Sequence, residues 1–190
     1  MGEGRLQEGN QWNPKGYFED TSWQRLNKQI TGERYGHCQP KAISQRQEAQ
    51  YRALAEACDA KALWGVKDPR LCFTAQFIWP LLDDPRVVAV MRGPAASAWS
   101  LMEHSKGNYH GQYRMTLKEA TRLRALWASA MERRLADFPG PVQRIHYEDL
   151  VRHPKRIVGE MALFAFDGLR GLTPDLGAAV AFVNPELRHA

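Results

Sequence analysis

The stretch VVAVMRGPAASAWSL (87–101) constrains the fold more than any other part of the chain. Its opening is β-branched and almost unbroken in apolarity, as expected of a strand in a parallel sheet covered on both faces. The run stops at Arg92, and Pro94, with its fixed φ and missing N–H, suits the first turn of a helix. A strand that feeds directly into a helix returns to its sheet by a crossover, so the expectation is an α/β fold.

Two further apolar runs share this design. ALWGV (62–66) is read as a strand ending at Lys67, and VQRIHY (142–147) as one ending at Tyr147, followed by Glu148 and Asp149. Helices are predicted between them. NPKGYF reads as a turn leading to a helix over about 20–30, with Trp23, Leu26 and Ile30 as its apolar stripe. Ser44 with Gln47, and Thr116 with Glu119, have the spacing of capping boxes. The first opens a polar helix to about 59; the second opens a long helix whose Leu117, Ala120, Leu123, Trp127, Ala130 and Met131 keep helical spacing. Further helices are expected over 71–82, disturbed by Pro80, over 94–105, from Pro154 to about 166, and over 176–183. Trp99 and Trp127 are assigned to helix core.

The expected architecture is therefore one three-layer αβα domain over 1–190 with a mainly parallel sheet. Ligands of such sheets bind beyond the carboxyl ends of the strands. That places Lys67, Arg92 and Tyr147 on one rim, beside the free amides and positive dipole end of the helix starting at Pro94. Two cations and a helix start suit a phosphorylated ligand.

Composition narrows the classes. The 190 residues are enough for one core, and 44% hydrophobic with 25% charged residues argues against disorder. A net charge of +5 favours anionic partners without choosing among them. Cys38, Cys58 and Cys72 have no CxxC spacing, and the six His have no ligand spacing, so neither a disulfide framework nor a metal site is expected. The absence of an apolar leader and of any run of membrane-spanning length leads to an expected cytoplasmic location with no membrane partner.

The run KDPRL…FIWPLLDDPRVVAVMRGPAASAWSL…IHYEDLVRHP resembles the sulfotransferases that use 3′-phosphoadenosine 5′-phosphosulfate (PAPS), and NPKGYFED is similar to a segment of bacterial members. The resemblance covers roughly 13–190. Its most specific element is Arg92, Pro94 and Ser100, because in the family this Arg and Ser hold the 3′-phosphate of the nucleotide. Gly93 departs from the usual Asn or Asp. The resemblance further implies that Tyr147 lies near the adenine, that Lys67 stands near the 5′-phosphosulfate bridge, and that the basic tail residue Arg188 reaches the 3′-phosphate. Charge at Lys67 would stabilise the leaving phosphate oxygen. Cytosolic relatives place a His two residues after that Lys; here the position is Pro69, leaving Glu19 and Asp68 as candidate general bases.

The largest departure is the phosphosulfate loop, GxxRSGT in relatives, of which the chain has no counterpart. The implied fold is P-loop NTPase-like and lacks its first strand and loop. Either the sequence is a fragment of a longer enzyme, which is the favoured reading, or it is a natural loop-deleted variant. The missing strand is normally central, so a gap in the sheet, a rearrangement or a homodimer is expected. The implied reaction is sulfuryl transfer from PAPS to a hydroxyl or amine of a small-molecule or glycan acceptor, leaving 3′,5′-ADP, with turnover weak or absent in this form. The acceptor pocket is expected from loops 32–43 and 107–115. Plainer roles compete: Lys67 as a solvated strand end, Asp68, Glu148 and Asp149 as caps, Glu19 as a charge at a helix start, Arg188 as a tail residue. A nucleotide-binding pseudoenzyme is the first alternative function, and a basic nucleic-acid-binding domain the second. The latter is disfavoured because Lys and Arg are spread along the chain without a recognition motif.

Overall fold

Helix α1 (Thr21–Thr31) begins where the sequence predicts. The Asp20 carboxylate accepts from the Ser22 and Trp23 N–H groups, and Gly32, in the left-handed region at φ 56°, closes the helix by donating to the Lys28 carbonyl. Its inner face carries Trp23, Leu26 and Ile30, which meet Tyr51 of α2 (Gln45–Asp59) and Ile78 in one buried cluster. The Ser44–Gln47 capping box forms as expected at the start of α2. This computed structural model describes residues 6–8, 18–34, 36–38, 42–108, 113–168 and 173–183, apart from the side chains of 107 and 108.

The sheet consists of β1 (Val87–Met91) and β2 (Val142–His146), paired in parallel from Val87 opposite Val142 to Met91 opposite His146. Between them the chain passes through α4 (Pro94–Asn108) and α5 (Leu117–Asp137). These helices pack through Ala98, Leu101 and Met102 against Met115, Ala120, Leu123 and Trp127. A short helix, α3 (Leu71–Thr74), lies on α5, where the Phe73 and Trp127 rings meet edge to face with centroids 5.0 Å apart. After β2 come α6 (Tyr147–Arg152), α7 (Pro154–Phe166) and α8 (Leu176–Phe182), with α7 packed on both β2 and α8. The mixed α/β class, the parallel pairing and the helix starts at Pro94, Thr116 and Pro154 agree with the sequence.

Four expectations need correction. Residues 62–66 form no strand. Trp64 and Val66 instead turn onto the α1–α2 cluster, and the Trp64 indole donates to Asp59 at 3.1 Å, so side-chain packing holds the segment where a ladder was expected. The 71–82 helix breaks after Thr74 into two 3₁₀ turns, Ala75–Phe77 and Trp79–Leu81. Pro80 cannot donate to the carbonyl four residues back, and its ring clashes with it. Trp99 is 45% exposed, because the inner face of α4 follows Ala98, Leu101, Met102 and Ser105. Cover of the sheet is incomplete on one face of β1, where Val88 and Val90 are 36% and 50% exposed. No gap separates β1 from β2, which pair directly.

Candidate functional site

The carboxyl ends of β1 and β2 bring together residues that are more than fifty positions apart in the chain. Arg92 leaves β1 with its guanidinium carbon 5.2 Å from the centroid of the Tyr147 ring, a cation–π distance, and Tyr147 is the first residue after β2. The Glu148 carboxylate accepts from the Gly93 N–H at 2.9 Å, which ties the turn into α4 to the start of α6. A Cβ at Gly93 would lie 3.3 Å from the same carboxylate, so the Glu148 side chain would have to give by a few tenths of an ångström. One amide that could face an anion is thus already satisfied, by an acid at the rim. Ser97 and half-buried Ser100 stand three residues apart on α4 and so share a face. The Ser97 hydroxyl donates to the Arg92 carbonyl at 3.4 Å and accepts from Arg124 of α5 at 3.4 Å.

A second group forms around Arg70. Lys67 donates to Glu19 Oε1 at 2.9 Å; Glu19 Oε2 accepts from Gln24 at 2.8 Å and faces Arg70 Nη1 at 3.4 Å. Arg70 grips Glu33 Oε2 through Nε at 3.0 Å and Nη2 at 2.7 Å, and Asp68 Oδ1 through Nη1 at 2.8 Å. The Asp68 Oδ1 also takes the Arg70 N–H at 2.8 Å, while Oδ2 accepts from Asn27 at 2.9 Å. Asn27 in turn accepts from Tyr51 at 2.6 Å and Thr74 at 2.9 Å, all three buried. Burial pushes the Glu33 carboxyl up, but the Arg70 hydrogen bond, the Gly36 N–H and the Arg70 charge outweigh it, leaving the group below its ordinary value.

The three candidates of the Lys67 region thus lie in one network, with different freedom. Asp68 has a side chain 1% exposed and both oxygens engaged, which suits an orienting role. Glu19 is almost as buried, at 6%, but its Oε1 faces Lys67, which is 57% exposed. Phe18, just before Glu19, holds φ at 53°, a strained value for a bulky residue, and packs edge to face on Phe182 at 5.3 Å. A small cleft beside Lys67 is lined by Leu6, Phe18, Trp23 and Val66.

The two groups approach each other at Cys72. Burial raises its thiol to about 11; the Arg124 charge lowers it, and the Asp68 charge adds to the rise. Of the loops expected to shape an acceptor pocket, the described parts touch where the His37 and Tyr113 rings stand 6.4 Å apart, edge to face. Arg188 lies outside the described residues, as does most of NPKGYF. Sequence reading missed Arg70, Ser97 and Arg124. Arg70 stands three residues after Lys67, a signal that could have been used; Arg124 carries none. Among the described residues no group of three or more His, Cys, Asp or Glu could hold a metal, and no helix is long and apolar enough to cross a membrane.

The parallel β1–β2 pair ends at a cation–π contact between Arg92 and Tyr147, beside a buried network that carries the Lys67–Glu19 pair. A model of the sulfotransferase family matches residues 6–166, most of the chain, and the protein belongs to that family. No curated protein and no solved structure matches it.

Proposed function

We propose that this chain is the sulfuryl-transfer domain of a PAPS-dependent sulfotransferase, and that the corner beyond β1 and β2 takes the 3′-phosphoadenosine end of the donor. The single observation that carries this reading is Arg92 set over the Tyr147 ring at 5.2 Å, at the start of α4. A planar guanidinium grips a phosphate through two parallel hydrogen bonds. Ser100 adds a hydroxyl, and the Tyr147 ring offers a face or its own hydroxyl to the adenine. In the same reading Arg188 meets the 3′-phosphate from the tail.

Lys67 and Glu19 perform the chemistry. Lys67 stabilises charge on the departing phosphate oxygen, and Glu19 takes the proton from the attacking hydroxyl or amine of a small-molecule or glycan acceptor. Attack on sulfur and departure of 3′,5′-ADP balance the step: one S–O bond forms to an alcohol acceptor, or one S–N bond to an amine, and the S–O bond to the phosphate breaks. Asp68 holds Arg70 and Asn27 and so orients the network. These 190 residues contain no GxxRSGT stretch to cradle the 5′-phosphosulfate, so weak or absent turnover is expected of them, in the cytoplasm or elsewhere. The same observation supports a second reading, a nucleotide-binding module without transferase activity.

Calorimetry with 3′,5′-ADP is the test. Weak binding that Arg92→Ala reduces at least about tenfold is expected, the worth of a hydrogen-bonded charge. An undetectable titration with the intact chain refutes the reading. Labelled-donor transfer that Glu19→Gln abolishes, with binding intact, separates the enzyme from the module.

A further inference from the structure

We propose that Arg124 is the second guanidinium of the phosphate corner and makes it selective for an adenine nucleotide that carries a ribose 3′-phosphate. The proposal rests on the reading of that corner given above. Its own support is an imbalance of charge. Arg124 is largely buried on α5, its Nε is buried and without a partner among the described residues, and it forms no ion pair among them. Its hydrogen bond is to the neutral Ser97 hydroxyl, at a long 3.4 Å.

Comparison with Arg70 shows how unusual this is. Both side chains are withdrawn from water, but Arg70 has Glu19, Glu33 and Asp68 around it. The groups that face Arg124 are Ser97, the Cys72 thiol and, of like charge, Arg92. Burial pulls the Arg124 guanidinium below the usual arginine range, Cys72 opposes the shift, and Arg92 adds to it. Cys72 supplies no negative charge near neutral pH, because its own proton is held up to about 11. Taking an ion out of water without compensation is costly, and an unsatisfied buried polar group in a native fold calls for a cause, a bound ion being one. A phosphate monoester brings close to two negative charges and three acceptor oxygens, which is the complement that the Arg124 guanidinium lacks among the described residues.

Ser97 positions the pair. Its single hydroxyl binds the carbonyl of Arg92 and the Nη2 of Arg124, so the head of Arg124 lies against the first turn of α4. The Glu148 carboxylate, held by the Gly93 N–H, bounds the corner on the β2 side.

Two probes, 3′,5′-ADP and 5′-AMP, differ only by the 3′-phosphate. The intact chain is expected to prefer 3′,5′-ADP by at least about tenfold. Arg124→Gln should erase that preference by weakening 3′,5′-ADP while leaving 5′-AMP unchanged, and Arg124→Lys should restore part of it. Without ligand, the thermal midpoint of Arg124→Gln should match or exceed that of the parent, since an uncompensated charge has been removed. An arginine with a purely structural role would do the reverse: the midpoint would fall and the preference would stay, which overturns the proposal. If Arg92→Ala erases the preference and Arg124→Gln does not, this inference fails alone. If the intact chain shows no preference, the reading of the corner fails, and this inference with it.

Discussion

Arg70 and Arg124 show how far single residues can be read from sequence. The candidates Lys67, Glu19 and Asp68 were legible because they fall in or beside the KDPR and FED motifs, but their assembly was not. Arg70 joins partners 37 and 51 positions away, and no local pattern reports a contact of that span. Arg124 was invisible for a related reason: in sequence it is one basic residue on an amphipathic helix, and only the fold withdraws it from water. The network makes a prediction at this scale. Glu33 is held below the ordinary carboxylate value, so it contributes stability above pH 4.5 that is lost as pH falls below. In acid titrations followed by circular dichroism, Glu33→Gln should lower stability at neutral pH and flatten its decline below pH 4.5; an unchanged acid profile would remove Glu33 from the account.

At the scale of elements, the accurate readings were the local ones. Ser44 and Thr116 cap their helices as their sequence neighbours require, and Pro94 and Pro154 stand in first turns. The Thr116 hydroxyl accepts from the Glu119 N–H, and the Glu119 carboxylate accepts from the Thr116 N–H at 2.7 Å. Thr116→Ala should therefore cost about 1 kcal/mol in urea denaturation, while Thr116→Ser should retain most of the stability. A midpoint unmoved by the alanine would show that α5 is held by its packing alone. The misreading of 62–66 has the opposite origin. Apolarity says that a segment is buried, but a strand also needs a partner, and Trp64 and Val66 reach their burial on helices α1 and α2 instead. Trp99 was misjudged because spacing alone does not say which of two apolar faces turns inward.

For the whole molecule, the α/β order and the parallel pairing were readable from alternating strand and helix signals, and the family from the run of motifs that now lies within residues 6–166. The direct pairing of β1 with β2 was not legible, since sheet closure is decided by pairing across more than fifty residues. The account depends on the place where those two strands end. Phosphorus NMR of 3′,5′-ADP tests it most directly, because the 3′ and 5′ phosphates give separate resonances. On addition of the protein the 3′ resonance should shift and broaden more than the 5′, and Arg92→Ala should abolish the effect; a perturbation confined to the 5′ resonance, or none at all, would contradict it.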